Sequence, residues 1–216
     1  MSDPRLPVVV LISGAGSNLQ ALIDDNRQAD APLDIRAVIS NRPAAAGLAR
    51  ARAAGIPAEV IDHTLYDSRD RYDAALQAAI DCYQPGLVVL AGFMRILTPA
   101  FVHHYLGRML NIHPSLLPHY SGLQTHRRVL AAGGAEHGAS VHFVTEQLDG
   151  GPVILQGRVP VLATDTEATL AARVHGVEHR IYPLAIRWFA QGRLHLHAGG
   201  AYLDGRLLPP HGATLP

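Results

Sequence analysis

The chain contains no lysine; all 18 of its basic residues are arginine. That absence excludes Schiff-base chemistry on a lysine amine and any phosphate loop built around a lysine. Phosphate must instead be met by backbone N–H groups, hydroxyls, Asn or Arg. Cysteine occurs once, at Cys82, so no internal disulfide forms and no Cys-X-X-Cys pair is offered to zinc. The 13 histidines include no His-Glu-X-X-His pattern, and no metal is expected. An excess of one charge sign is missing too. The 18 acidic residues cancel the 18 basic ones, which gives no bulk attraction to nucleic acid. No apolar run reaches the ~18–20 residues of a membrane span. The first residues, Met1 to Pro7, carry no signal-peptide cleavage pattern. With a lone thiol and no export signal, the expected compartment is the cytoplasm.

What is present supports a packed core. Hydrophobic residues make up 48% of the 216 positions and charged residues 17%, the balance of a folded domain rather than a disordered chain. The length favours one domain of about 200 residues over two full ones. Val8 to Ile12 is a continuous apolar run that reads as a buried parallel strand, feeding a Gly-rich turn. Leu19, Leu22 and Ile23 then repeat at helical spacing. Strands are expected at 35–40, 57–61 and 87–92, and helices at 44–54 and 67–83. Thr98-Pro99 opens a short helix, with Thr as N-cap and Pro at the first position. This alternation predicts an α/β domain with a mostly parallel, twisted sheet and helices on both faces. Further on, strands are expected at 109–112, 138–145 and 153–160, and a long amphipathic helix at 166–191. Two short strands follow at 194–197 and 201–203. The expected organisation is a single domain over 1–216. Residues 8–110 form a phosphate- or nucleotide-binding half, 111–205 the catalytic half, and 206–216 a loose tail.

Two segments carry chemistry. In Asn111-Ile112-His113-Pro114, residues i and i+2 of an extended strand project to the same side. The Asn111 amide and the His113 ring can therefore address one small volume. Leu148-Asp149-Gly150-Gly151-Pro152 supplies a carboxylate from a later loop. Such a carboxylate would hold the ring and favour its protonated form. Amide, imidazole and carboxylate together suit polarising a carbonyl and moving a proton. The loop Gly14-Ala15-Gly16-Ser17-Asn18-Leu19 begins like a dinucleotide fingerprint but puts Leu19 where a third Gly or Ala belongs. It reads as a small phosphate site at a helix N-terminus, or as a plain tight strand–helix turn.

Taken together, these segments resemble the phosphoribosylglycinamide formyltransferases, folate-dependent enzymes of purine synthesis. The resemblance runs from Val8 to about Pro210. It rests on Ile12 to Gln20, Leu90 to Leu97, Asn111 to Pro118, and Ser140 to Val144 with Leu148 to Pro152. Glu178-His179 with Ile181-Tyr182-Pro183 adds the family's late helix. The resemblance implies a Rossmann-like formyltransferase fold. It also implies formyl transfer from 10-formyltetrahydrofolate, as co-substrate, to the amine of glycinamide ribonucleotide, with no metal. By the same resemblance, Asn111, His113 and Asp149 are catalytic. Gly16, Ser17, Asn18 and Glu178 bind the ribonucleotide. Arg69, Met94, Arg95, Ile96 and Leu97 bind the folate. The partners implied are small molecules, without nucleic acid or membrane; monomer and homodimer both stay open. Departures from the family pattern fall at Ala15, His119, Ser121, Gln124 and His175. A formyltetrahydrofolate hydrolase and a sugar-nucleotide N-formyltransferase are the alternatives that would share the Asn/His/Asp set.

Overall fold

The computed structural model describes residues 5–27 and 31–214. Its chain divides into two compact units, Met1–Leu110 and Asn111–Pro216.

In the first unit, β1 (Leu6–Ile12) is followed by α1 (Ser17–Asp25), β2 (Leu33–Ser40), α2 (Gly47–Ala53) and β3 (Ala58–Val60). Then come α3 (Arg69–Asp81), β4 (Leu87–Leu90) and α4 (Pro99–His104). The strands pair in parallel in the order β4-β1-β2-β3. Val8 to Ile12 and Leu87 to Leu90 are buried throughout, which is why both runs are apolar without alternation. The chain leaves β1 toward β2 on one side, and β4 lies on the other. The carboxyl ends of β1 and β4 therefore flank a switch point, where open α/β sheets hold ligands. The Gly14–Asn18 turn and the Gly92–Thr98 loop both start there. Ser68 caps α3 by accepting the Arg71 N–H, and Thr98 caps α4 by accepting the Phe101 N–H, with Pro99 next. α3 thus starts two residues later than the expected 67, and α4 starts where the Thr-Pro pair indicates.

β5 (Met109–His113) carries the chain into the second unit. There follow α5 (Thr125–Ala131), β6 (Glu136–Phe143), β7 (Val153–Pro160) and α6 (Glu167–Ala190). The strands β8 (Leu194–His197), β9 (Gly200–Leu203), β10 (Arg206–Leu207) and β11 (Ala213–Thr214) complete it. Here the order is β5-β6-β7-β11, with β6 and β7 antiparallel, while β8, β9 and β10 form a separate antiparallel ribbon. Gly157 lets α6 lie close on β7: a Cβ there would overlap the Val177 side chain. Leu170, Val174, Ile181 and Ile186 of α6 are completely buried.

One expectation differs from the structure. The tail is not loose throughout. Ala213 and Thr214 pair in parallel with Leu155 and Gln156 of β7, covering an edge whose N–H and C=O groups would otherwise be unpaired. Leu215, Pro216 and the first four residues lie outside the described residues. Residues 125–131, to which the sequence assigned no element, form α5. Its apolar content is small, with Thr125 and Val129 as its buried residues, so periodicity gave little sign of it. No helix among the described residues is long and apolar enough to cross a membrane.

Candidate active site

β5 presents Asn111 and His113 two residues apart, as an extended strand requires. His113 is buried, at 6% exposure. Its Nδ1 lies 3.5 Å from Asp149 Oδ2, and its Nε2 lies 3.0 Å from the Tyr120 carbonyl oxygen. A carbonyl oxygen cannot donate, so Nε2 carries a hydrogen. Both ring nitrogens then face oxygen atoms, Nδ1 the Asp149 carboxylate and Nε2 the Tyr120 carbonyl.

Asp149 comes from the β6–β7 connection and holds a left-handed backbone, φ 52°. The connection is tightly closed. Gly150 N–H donates to Gln147 O, Phe143 N–H donates to Pro152 O, and a Cβ on Gly151 would overlap the Phe143 carbonyl oxygen. Glycine at 151 is thus a steric requirement for placing Asp149. The carboxylate accepts the Gly122 N–H at 2.8 Å through Oδ2.

His142, like His126 and His137, was given no role by the sequence. It is 2% exposed, and its Nδ1 faces Phe143 O at 2.9 Å. That contact puts the hydrogen on Nδ1 and leaves Nε2 as an acceptor. Asn111 Nδ2–H donates to it at 3.1 Å. Burial pushes the His142 ring toward its neutral form, as this pairing needs. The Asn111 amide is thereby oriented, with its second N–H uncommitted in this contact. A register shift between Val141 and His142 turns the ring, the kind of bulge found beside active sites.

The segment 119–124 meets both side chains with its backbone: Tyr120 O on His113 and Gly122 N–H on Asp149. Arg128 holds the same segment, donating to Ser121 O at 2.6 Å and lying 5.5 Å over the Tyr120 ring. A second histidine pair lies on these elements. His126 Nδ1 and His137 Nε2 are 3.0 Å apart, so one hydrogen is shared between them. Burial and the neighbouring histidines push His137 down to about 4.

The other predicted residues lie as follows. Gly16, at φ 72°, is the N-cap of α1, and no side chain caps the first turn of that helix. A Cβ on Gly16 would come within 2.7 Å of Gly47 Cα. Ser17 opens α1 and Asn18 is buried on it. Arg50 Nε donates to Ala15 O at 2.9 Å, which puts a guanidinium beside the loop of a chain that has no lysine. Ser13 Oγ donates to Asn41 Oδ1 and accepts the Met94 N–H, tying the Gly92–Thr98 loop to the end of β1. In that loop Met94 and Ile96 are 63% and 55% exposed. An apolar pair left in solvent argues against core packing and for a ligand-facing surface. Arg69 is exposed at the start of α3. Glu178 is 4% exposed on α6. Among the described residues no group of three or more His, Cys, Asp or Glu is placed to hold a metal ion. A cavity of 410 Å³ lined by Arg5, Ile23, Asn26, Arg27, Asp34 and Ile56 includes none of the predicted site residues.

The formyl transferase family matches residues 6–186. Phosphoribosylglycinamide formyltransferase of Escherichia coli is 60% identical over 205 residues, which are 95% of this chain and 97% of that protein. The human trifunctional purine biosynthetic protein adenosine-3 is 49% identical over 193 residues, 89% of this chain and 19% of that protein. Among solved structures, phosphoribosylglycinamide formyltransferase from Coxiella burnetii, in complex with CHES, superposes with a TM-score of 0.94 at 55% identity. That match covers 98% of this chain and 100% of the other. The chain belongs to the formyl transferase family.

Proposed function

We propose that the protein transfers the formyl group of 10-formyltetrahydrofolate to the amine of glycinamide ribonucleotide, giving the formylated ribonucleotide and tetrahydrofolate. The observation that carries this reading is the clustering of Asn111, His113 and Asp149 around one point, with His142 behind the amide. The substrate amine attacks the formyl carbon and the carbonyl becomes a tetrahedral oxyanion. His113 Nε2–H is the nitrogen facing away from Asp149, so it donates to that oxygen in place of the Tyr120 carbonyl. The free N–H of Asn111 is the second donor. Collapse of the intermediate breaks the bond to folate N10. One proton leaves the amine and one reaches N10, relayed by His113 directly or through water.

The ribonucleotide phosphate is taken by the first N–H groups of α1 with Gly16, Ser17 and Asn18. Glu178 accepts hydroxyls of the ribose. Met94, Ile96 and Leu97 supply apolar surface to the pterin, and Arg95 and Arg69 supply donors to the polar parts of the folate. The exposed single thiol, Cys82, suits a reducing compartment, and the cytoplasm is our reading of its location.

The test is a formyl-transfer assay on 10-formyltetrahydrofolate with and without the ribonucleotide, read by absorbance of the deformylated folate. Release that requires glycinamide ribonucleotide is expected. Release with water alone would assign a hydrolase. Release with an amino-sugar nucleotide as the sole effective acceptor would assign the sugar-nucleotide reaction.

A further inference from the structure

Asp73 is a carboxylate buried to 3% exposure in the middle of α3, with no ion pair within 4 Å among the described residues. Its Oδ2 accepts the Thr98 N–H at 2.6 Å, while Oδ1 has no hydrogen-bond partner. Thr98 is the last residue of the Gly92–Thr98 loop and the N-cap of α4. Two more buried polar atoms nearby lack partners: the Tyr72 hydroxyl and Arg95 Nε. Tyr72 is 1% exposed, and the Arg95 guanidinium lies 5.4 Å over its ring. Burial pushes the Asp73 carboxyl up, whereas the Thr98 bonds and then Arg95 and Arg69 pull it down. Both guanidinium groups therefore lie within electrostatic reach of one carboxylate. Arg69 stands one helical turn before Asp73, on the same face of α3.

The Thr98 bond calls for an acceptor but not for a charge. Burying an ion without a close counter-charge is costly, and an amide could keep that bond at lower cost. Half-used buried polar groups of this kind occur where a site is held ready for a ligand. Neither Arg95 nor Arg69 spends a donor on a protein hydrogen bond among the described residues, so their N–H groups remain for something else.

We propose that Asp73 is a positioning residue for the folate. It fixes the exit of the Gly92–Thr98 loop through the Thr98 N–H and restrains the Arg95 and Arg69 guanidinium groups toward the anionic co-substrate. This rests on the folate reading of Met94, Arg95, Ile96, Leu97 and Arg69 given above. The sign of the effect distinguishes it from a simple charge. If Asp73 acted only through space, removing its negative charge would tighten binding of an anionic folate. If it positions the two arginines, removing it weakens binding.

The experiment compares steady-state kinetics of the full chain and its Asp73→Asn variant, varying 10-formyltetrahydrofolate and glycinamide ribonucleotide in turn. The expected result is a KM for the folate raised about tenfold, the size of one misplaced charged hydrogen bond. kcat and the KM for the ribonucleotide stay within about twofold, and Tm does not fall, because a costly buried charge has been removed. In an Arg95→Met background, where the aimed group is absent, Asp73→Asn should add less than about twofold. An unchanged or lowered folate KM overturns the proposal. So does a raised folate KM accompanied by a lower Tm and weaker ribonucleotide binding, which marks a merely structural role. No transfer by the unaltered protein would instead overturn the functional reading on which the inference rests.

Discussion

An amide proposed to act in catalysis is useful only if its hydrogens point at the reacting oxygen, and His142 fixes which way those of Asn111 point. Its Nδ1–H is committed to Phe143 O, so its Nε2 must accept, and Asn111 must offer nitrogen rather than oxygen to it. His142→Leu removes the acceptor and leaves the Asn111 amide free to rotate. The expected outcome is a kcat lowered about tenfold, or ~1.4 kcal/mol of transition-state stabilisation, with both KM values nearly unchanged; steady-state kinetics check it. Asn111 and His113 were legible in the sequence because strand spacing alone puts i and i+2 on one side. His142 was not, because the bulge at Val141/His142 interrupts the alternation that would have assigned it a face. Asp73 was hidden for another reason. A carboxylate at helical spacing among polar neighbours reads as a solvated face until its burial is seen.

At the scale of the element, the β6–β7 connection converts backbone geometry into side-chain placement. Gly151 packs its Cα against the Phe143 carbonyl, and two residues earlier Asp149 adopts a left-handed conformation that brings its carboxylate to His113. Gly151→Ala would force the connection away from Phe143. Stability should fall by roughly 1–3 kcal/mol, as for other overpacked sites, and turnover should fall much further, since Asp149 moves with the loop. Urea unfolding and kcat measured on the same preparation check the two parts. The Gly-Gly pair was visible in the sequence as a turn, but the overlap that demands glycine at 151 depends on Phe143, eight residues away. Strands β1 and β4 were legible because fully buried parallel strands need continuous apolar runs. β11 and α5 were not. Their residues lack a period of their own, and the strand edge of β7 and the packing of Val129 give them structure.

At the scale of the whole molecule, alternating strands and helices in the first half predicted the mostly parallel α/β class, and ordered motifs predicted the family. Neither source predicts the response to acid, which follows from burial. His137, His126 and His142 are all pushed below the ordinary histidine value, His137 to about 4. A histidine with a lowered folded-state value stays neutral in the native protein while the unfolded chain takes up a proton below about 6.5. Unfolding is therefore favoured as pH falls from 6.5 toward 4, and nothing is lost above 6.5. His137 alone should contribute about 2 kcal/mol of destabilisation by pH 5. Urea unfolding at pH 7.5 and pH 5 should show that loss in the unaltered protein and a smaller one in His137→Gln. Equal losses in the two proteins would contradict the assignment.

The most direct test of the central claim, that Asn111, His113 and Asp149 act together on a formyl group, is turnover by Asp149→Asn alongside its binding of both substrates. An amide at 149 keeps the size of the side chain and removes the charge facing His113 Nδ1. The expected result is a kcat lowered by about 10²-fold or more, with the affinities for 10-formyltetrahydrofolate and glycinamide ribonucleotide within a few-fold of the unaltered protein. Near-full turnover by Asp149→Asn would contradict it.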